Sequence, residues 1–326
     1  MAFCDHEFRC NIDFKRIILL NFKVTILLAT YNGAKFLEEQ LTSFLEQTQH
    51  NIDLIVSDDG STDETLPILQ KWQKNWPKGS FKIIQGPGTG YADNFRHLIL
   101  SLNDNQGYVA FSDQDDIWHT DKLAKAMEHL SQLDDDTQVM YGSRSRLVDR
   151  ESKPIGYSPL FRKKPSFENA LVQSIAGGNT IVLNAAAFNL VRESAQRTHF
   201  FSHDWWCYQL ISGAGGTVLY DPVPSIDYRQ HGNNVFGRNN GIHSIKRRLS
   251  ALLNGDFSNW IDINLESLEK CQDLLLIHNI NLVNEFKIAR KDILINRLLF
   301  LFRNDIKRQT RVPNIILYVT ALIGKL

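Results

Sequence analysis

A doubly wound, mostly parallel α/β sheet is the fold class this sequence predicts. Short apolar runs alternate with helix-period stripes four times between residues 24 and 133. Three of the four runs stop in acidic or hydroxyl-bearing loops, as strands do when ligands sit beyond their carboxyl ends. The chain has 326 residues, 43% of them hydrophobic, which is ample for a large core and excludes a disordered or fibrous chain.

Each element follows in order. Val24–Ala29 is a continuous apolar run, read as a buried strand, and Thr30-Tyr31-Asn32-Gly33 ends it. Phe36, Leu37, Leu41, Phe44 and Leu45 then recur at helical spacing. Asp53–Ser57 is a second strand, stopped by Asp58-Asp59-Gly60. Ser61-Thr62-Asp63-Glu64 has capping-box form before a helix striped by Leu66, Leu69 and Trp72. Phe81–Ile84 is a third strand, followed by the loop Gly86–Gly90 and a helix over 92–102. Tyr108–Ser112 is a fourth, running into Asp113-Gln114-Asp115-Asp116 and a helix over 121–133. Short strands are expected near 138–148, 180–184 and 217–220, with helices near 167–174, 185–196 and 204–212. From 242 onward the pattern is almost wholly helical. The chain therefore divides into an extension (1–22), an α/β body (23–241) and a basic helical region (242–326).

Charge and cysteine content narrow the function. Lys+Arg and Asp+Glu both number 36, so net charge gives no support for nucleic-acid binding. The region from Ile242 to Leu326 holds 13 basic and 8 acidic residues, against 23 and 28 in the rest. A basic tail on an acidic body points to an anionic partner such as a lipid surface, or to a solvated helical face. The four cysteines form no C-x-x-C pair, which fits a reducing compartment. Asp5, Glu7 and Asp13 before a short apolar run do not read as a signal peptide, and Ile315–Ile323 is too short to span a bilayer.

Five clusters carry candidate chemistry. In an extended segment, residues i and i+2 point the same way, so Asp113 and Asp115 present two carboxylates together. Their repulsion is relieved by a divalent cation, Mg2+ or Mn2+, with positions left for phosphate oxygens. Read blandly, the same residues are an acidic turn before a helix. Asp58-Asp59-Gly60-Ser61 offers a carboxylate to a base N–H or ribose hydroxyl, or is simply a tight turn. In His203-Asp204-Trp205-Trp206, Asp204 is a candidate general base or an N-cap, and the tryptophans stack on a sugar or fill the core. Tyr228-Arg229-Gln230-His231-Gly232-Asn233-Asn234 joins a cation suited to a diphosphate with a metal-ligating imidazole. Gly177-Gly178-Asn179 permits close backbone approach to a ligand, or an ordinary turn. Gly86–Gly90 is neither a P-loop nor a dinucleotide fingerprint.

Together and in this order, these motifs resemble the inverting glycosyltransferases of family 2, with the GT-A fold. The resemblance runs over residues 23–240, on Leu28–Gly33, Val56–Asp63, Phe111–Trp118 and the three later clusters. The Ser-Asp-Gln-Asp-Asp-Ile-Trp form looks most like the bacterial rhamnosyltransferase branch that builds O-antigens and related cell-surface polysaccharides. It implies a Rossmann-like sheet and transfer of a sugar, with L-rhamnose from dTDP-rhamnose the leading donor, to a lipid-linked oligosaccharide acceptor. Asp113 and Asp115 would be the DxD pair on the metal, with His231 assisting. Thr30, Tyr31, Asn32, Asp59, Gln114, Asp116 and Arg229 would bind the donor, and Gly178, Asn179, Trp205 and Trp206 the acceptor or sugar. Asp204 would be the catalytic base. A cytoplasmic enzyme, peripheral on the inner membrane, is expected. Competing readings are a UDP-hexose donor, a sugar-phosphate nucleotidyltransferase, for which the first loop lacks a Gly-rich triphosphate grip, and a non-catalytic carbohydrate-binding protein on a decayed transferase fold.

Overall fold

The computed structural model of the chain describes residues 22–103, 107–230 and 255–326. The extension, Cys4, Cys10, the start of the basic region and the candidate ligand His231 lie outside the described residues.

The α/β expectation holds. The body begins β1 (Val24–Thr30), α1 (Ala34–Leu45), β2 (Ile52–Asp58), α2 (Thr65–Asn75), β3 (Phe81–Gln85), α3 (Tyr91–Ser101) and β4 (Tyr108–Ser112). Next come β5 (Ile117–Trp118), α4 (Lys122–Leu130), β6 (Val139–Ser143), β7 (Arg146–Val148) and β8 (Pro154–Tyr157). The body closes with α5 (Phe167–Ala170), a 3-10 turn (Gly178–Thr180), β9 (Val182–Leu183), α6 (Ala185–Arg197), α7 (His203–Gly213), β10 (Thr217–Asp221) and β11 (Ile226–Arg229). Helices α8 (Asp256–Lys270), α9 (Ile277–Ala289), α10 (Leu294–Arg303) and α11 (Arg311–Leu322) follow.

The main sheet has the order β10-β6-β9-β4-β1-β2-β3. Strands β3, β2, β1 and β4 are parallel neighbours, whereas β9 runs antiparallel between β4 and β6. Register sets the site: Thr30 lies opposite Asp58, and Ser112 opposite Leu28. The loops after β1, β2 and β4 therefore leave the same edge of the sheet together.

Strand alternation divides the core into two layers. Leu27, Val109 and Phe111 face one side, with α3, α6 and α7; Ile26, Leu28 and Ala110 face the other, with α1, α2 and α4. Phe257, Leu268, Phe286, Leu301 and Leu317 of the later helices join the first layer, so those helices pack against the body.

Three sequence expectations need correction. The capping box does not form: the Ser61 hydroxyl donates to Asp58 Oδ1 at 2.6 Å, and Asp63 Oδ1 instead accepts the Thr65 N–H at the start of α2 at 3.0 Å. The helix expected over 167–174 is the single turn α5. A second sheet, β5-β11-β7-β8, was not expected at all; its strands are two to four residues long, too short for alternation to register.

Candidate active site

The loop after β1 is built around its own backbone. Asn32 sits at φ 48, a left-handed conformation that its short amide tolerates, and its Oδ1 accepts the Thr62 N–H at 2.8 Å. The Gln114 side chain reads the Tyr31 peptide from both sides: Tyr31 N–H donates to Oε1 at 2.8 Å, and Nε2 donates to the Tyr31 carbonyl at 2.9 Å. A Cβ on Gly33 would lie 2.1 Å from Gln114 Oε1, so this contact requires glycine. The Tyr31 side chain is left 58% exposed at the mouth of the site. Thr30 is buried and donates its hydroxyl to Asp58 Oδ1 at 2.9 Å.

Asp59 organises the third loop. Its Oδ1 accepts the Gly88 N–H at 2.7 Å and its Oδ2 the Gly90 N–H at 3.0 Å. The glycine loop thus owes its position to a carboxylate from the neighbouring strand. Asn94 fixes the helix behind it, donating to the Ser57 carbonyl at 3.0 Å.

The acidic run after β4 separates into unlike residues. Asp113 and Asp115 are half-buried, but Asp116 is fully buried. Burial, then the charge of Asp115, then that of Asp204, push the Asp113 carboxyl up to about 7. These three carboxylates therefore act on one small region. Tyr91, at the start of α3, borders it: burial raises its phenol, and the charges of Asp204 and Asp113 raise it further. Its hydroxyl donates to the Phe201 carbonyl at 3.3 Å.

Asp116 is an internal tie. Its Oδ2 accepts Asn179 Nδ2 at 2.5 Å, its Oδ1 accepts the Arg229 N–H at 3.2 Å, and its own N–H donates to Gln40 Oε1 at 2.8 Å. Burial, followed by Asp115 and Asp113, holds its carboxyl well above the usual range. Beneath it, buried Lys122 places its Nζ 3.2 Å from the Trp118 ring centroid. Burial draws that ammonium well below its ordinary pKa, opposed by the Asp116 charge.

Asp204 is half-buried in the first turn of α7, where an acidic side chain suits the helix dipole. The Ser174 hydroxyl donates to its Oδ2 at 3.3 Å. Preceding it, His203 is buried and stacks on Phe95 with ring centroids 3.6 Å apart. Neither of its ring nitrogens has a hydrogen-bond partner, and burial pulls the imidazole down to about 4. A Cβ on Gly178 would lie 2.0 Å from His203 Nε2, so the Gly-Gly-Asn turn packs its backbone directly on this ring.

Several expected site residues are placed elsewhere. Trp205 and Trp206 offer no sugar-stacking face. They are core residues, at 5% and 0% exposure, with indole N–H groups on the Ala170 carbonyl at 2.6 Å and Ser194 Oγ at 2.9 Å. Arg229 is not a free diphosphate ligand. It is 1% exposed; its guanidinium donates to the Asp115 carbonyl at 3.0 Å, the Arg150 carbonyl at 3.0 Å and Ser152 Oγ at 2.9 Å, and pairs with Glu39. It clamps the acidic loop from behind. Asp116 likewise faces Asn179 rather than solvent. Sequence reasoning missed Gln40, Tyr91, Lys122 and Ser174. Only Lys122, a lysine within an apolar helical stripe, carried any signal.

Among the described residues, no cluster of three or more His, Cys, Asp and Glu side chains forms a ready metal cage. Asp113 and Asp115 still suit a divalent cation, because their mutual repulsion is the kind a bound cation removes.

Comparison with known proteins agrees with this geometry. The model of glycosyl transferase family 2 matches residues 25–189, which include β1, β2, the acidic loop and the Gly-Gly-Asn turn. The dTDP-rhamnosyl transferase RfbG of Shigella flexneri is 29% identical over 241 residues, covering 70% of this chain and 79% of that protein. An uncharacterised glycosyltransferase of Haemophilus influenzae is 26% identical over 220 residues, covering 64% of this chain and 66% of its own length. The structure of S. aureus TarS 1–349 in complex with UDP-GlcNAc superposes with a TM-score of 0.52 at 16% identity, covering 77% of this chain and 70% of that one. A second TarS structure, with UDP, gives a TM-score of 0.53 at 13% identity, over 93% and 90%. The GT-A fold expected from the motifs is thus the fold found. A parallel sheet that gathers the loops after β1, β2 and β4, with a family match spanning all three, leads to one assignment: the chain belongs to glycosyl transferase family 2 and is a glycosyltransferase.

Proposed function

We propose that the chain transfers a sugar from a nucleotide donor, with L-rhamnose on dTDP as the leading candidate, to a growing cell-surface polysaccharide or O-antigen acceptor, inverting the anomeric centre. The observation that carries this reading is the gathering of the loops after β1, β2 and β4, which hold Tyr31, Asp59, Asp113 and Asp115, at one edge of the sheet. The donor sugar is suggested by the dTDP-rhamnosyl transferase RfbG, which is similar along most of the chain.

Tyr31, exposed at the mouth, covers the nucleotide, and Gln114 holds the Tyr31 peptide for it. Asp59 and Asn32 shape the pocket beside the base and ribose through the loops they tie. Asp113 and Asp115 would hold Mg2+ or Mn2+, with His231 as a further ligand; the cation would neutralise charge growing on the leaving nucleoside diphosphate. Asp204 accepts the proton of the acceptor hydroxyl as its oxygen attacks the anomeric carbon from the face opposite the diphosphate. Ser174, whose hydroxyl lies within hydrogen-bond reach of Asp204 Oδ2, helps to position that carboxylate. Arg229 and Asn179 act indirectly, by fixing the acidic loop through Asp115 and Asp116.

The test is a thermal-shift panel with dTDP-rhamnose, UDP-glucose, UDP-galactose, UDP-N-acetylglucosamine and GDP-mannose, each with manganese and with EDTA. A donor present at a hundredfold its dissociation constant stabilises the fold by about 2.7 kcal/mol. A manganese-dependent rise with dTDP-rhamnose is expected. A rise only with a UDP-hexose would replace the donor; no rise with any nucleotide sugar would overturn the reading.

A further inference from the structure

Helices α10 and α11 expose two aliphatic stripes that their own packing leaves uncovered. On α10, Ile295, Leu299 and Phe302 recur at i, i+4 and i+7, while Leu301 is buried against the body. On α11 and its end, Val312, Ile315, Val319 and Ile323 repeat at i, i+3, i+7 and i+11, with Leu317 and Ala321 buried. Phe302 and Ile315 are each 60% exposed. The Phe302 and Tyr318 rings meet at 4.8 Å and join the two helices. Soluble monomers seldom show so many large apolar side chains on adjoining turns.

Charge identifies what covers them. Residues 291–326 hold seven Lys/Arg against two acidic residues. Arg303 and Arg311 are exposed at the facing ends of the two helices, and Lys291 and Lys325 are exposed beyond them. Apolar stripes edged by cations suit a lipid surface with anionic headgroups. No helix among the described residues is long and apolar enough to cross a membrane, so the pair would lie in the interface.

The connection to the reaction centre is short. Between the helices, the Gln309 N–H donates to Gln173 Oε1 at 2.8 Å and Asn169 Nδ2 donates to the Lys307 carbonyl at 2.7 Å. Lys163 adds two more bonds, N–H to Gln309 Oε1 at 3.1 Å and Nζ to the Arg308 carbonyl at 2.8 Å. Gln173 is followed directly by Ser174, which holds Asp204. We infer that α10 and α11 form an interfacial platform for an anionic membrane leaflet, fastened beside the general base so that a lipid-linked acceptor meets Asp204 from that side. The acceptor class rests on the transferase reading; the platform does not.

The test is flotation of the full-length protein with vesicles of phosphatidylcholine alone or with phosphatidylglycerol added. Wild type is expected to float with the anionic vesicles, less so at high salt. Ile295→Glu with Phe302→Glu, and separately Ile315→Glu with Val319→Glu, are expected to lower binding about tenfold or more. Arg303→Glu with Arg311→Glu changes exposed residues only and is expected to weaken binding to anionic vesicles by a similar factor, about tenfold. Light scattering runs in parallel. Absence of wild-type flotation overturns the platform, as does a dimer that the apolar variants split without altering flotation; the latter assigns the face to a second copy. Flotation needs neither donor nor turnover, so its failure leaves the transfer chemistry untouched, and failure of the donor panel leaves the platform untouched.

Discussion

Asn179 donates to Asp116 at 2.5 Å across 63 residues of sequence and so locks the Gly-Gly-Asn turn to the acidic loop. Asp116 has no solvent to replace that donor. Asn179→Ala should therefore cost about 1–3 kcal/mol of stability, by leaving a buried carboxyl oxygen short of a partner. It should also lower turnover, since Asp115 shares the loop. Urea unfolding and a donor-turnover assay read the two effects separately.

Asp204 is half-buried, and the structure shows it hydrogen-bonded to the Ser174 hydroxyl. Asp204→Asn should keep the fold and donor binding yet lose about 10²–10⁴ in turnover, the usual worth of a general base. Calorimetric titration with the nucleotide sugar, beside a turnover assay, checks both halves.

Asp113 and Asp115 should act through the cation. Asp113→Asn and Asp115→Asn should each abolish the manganese-dependent part of the donor-induced rise in Tm, leaving the EDTA baseline in place. An unchanged manganese response in both variants would dismiss the metal assignment.

His203 makes stability depend on acidity. Its folded pKa of about 4 lies below the ordinary 6.5, so the unfolded chain takes up a proton that the folded chain refuses. Stability from this group is full above the unfolded value and falls as the pH drops from 6.5 to 4, by about 3 kcal/mol in all. His203→Leu should flatten that slope in denaturant titrations across the window.

Gly33→Ala would drive a methyl group into Gln114 Oε1 and break its paired contact with Tyr31. The expected outcome is a weaker donor complex, read as a raised KM with little loss of kcat, because Gln114 orients the mouth and not the reacting atoms. Equal loss in kcat would contradict that division.

The sequence was legible where periodicity and punctuation were strong. β1 to β4 appear within a residue or two of their expected bounds, since buried parallel strands read as continuous apolar runs, whereas the helix expected over 121–133 ends three residues early, at Leu130. The second sheet was hidden because Ile117–Trp118 and Ile226–Arg229 are too short to alternate. Within the site, residue type did not predict orientation. Arg229 and Asp116 carry charges that normally seek solvent, yet their neighbours Glu39, Asn179 and Asp115 draw them inward. Trp205 and Trp206 stand next to Asp204 in the chain, but a helix turns them onto different sides, and only the fold reveals which sides are core.

That last arrangement has a practical consequence. In α7, Trp205 and Trp206 anchor the helix through Ala170 and Ser194, while Asp204 spends its side chain outside the packing. The residues that anchor the helix and the proposed base are thus adjacent but separate. A single amide-for-carboxylate exchange at 204 would yield an intact, silent protein able to dwell on its substrates, a reagent for pulling the unknown acceptor out of a cell extract.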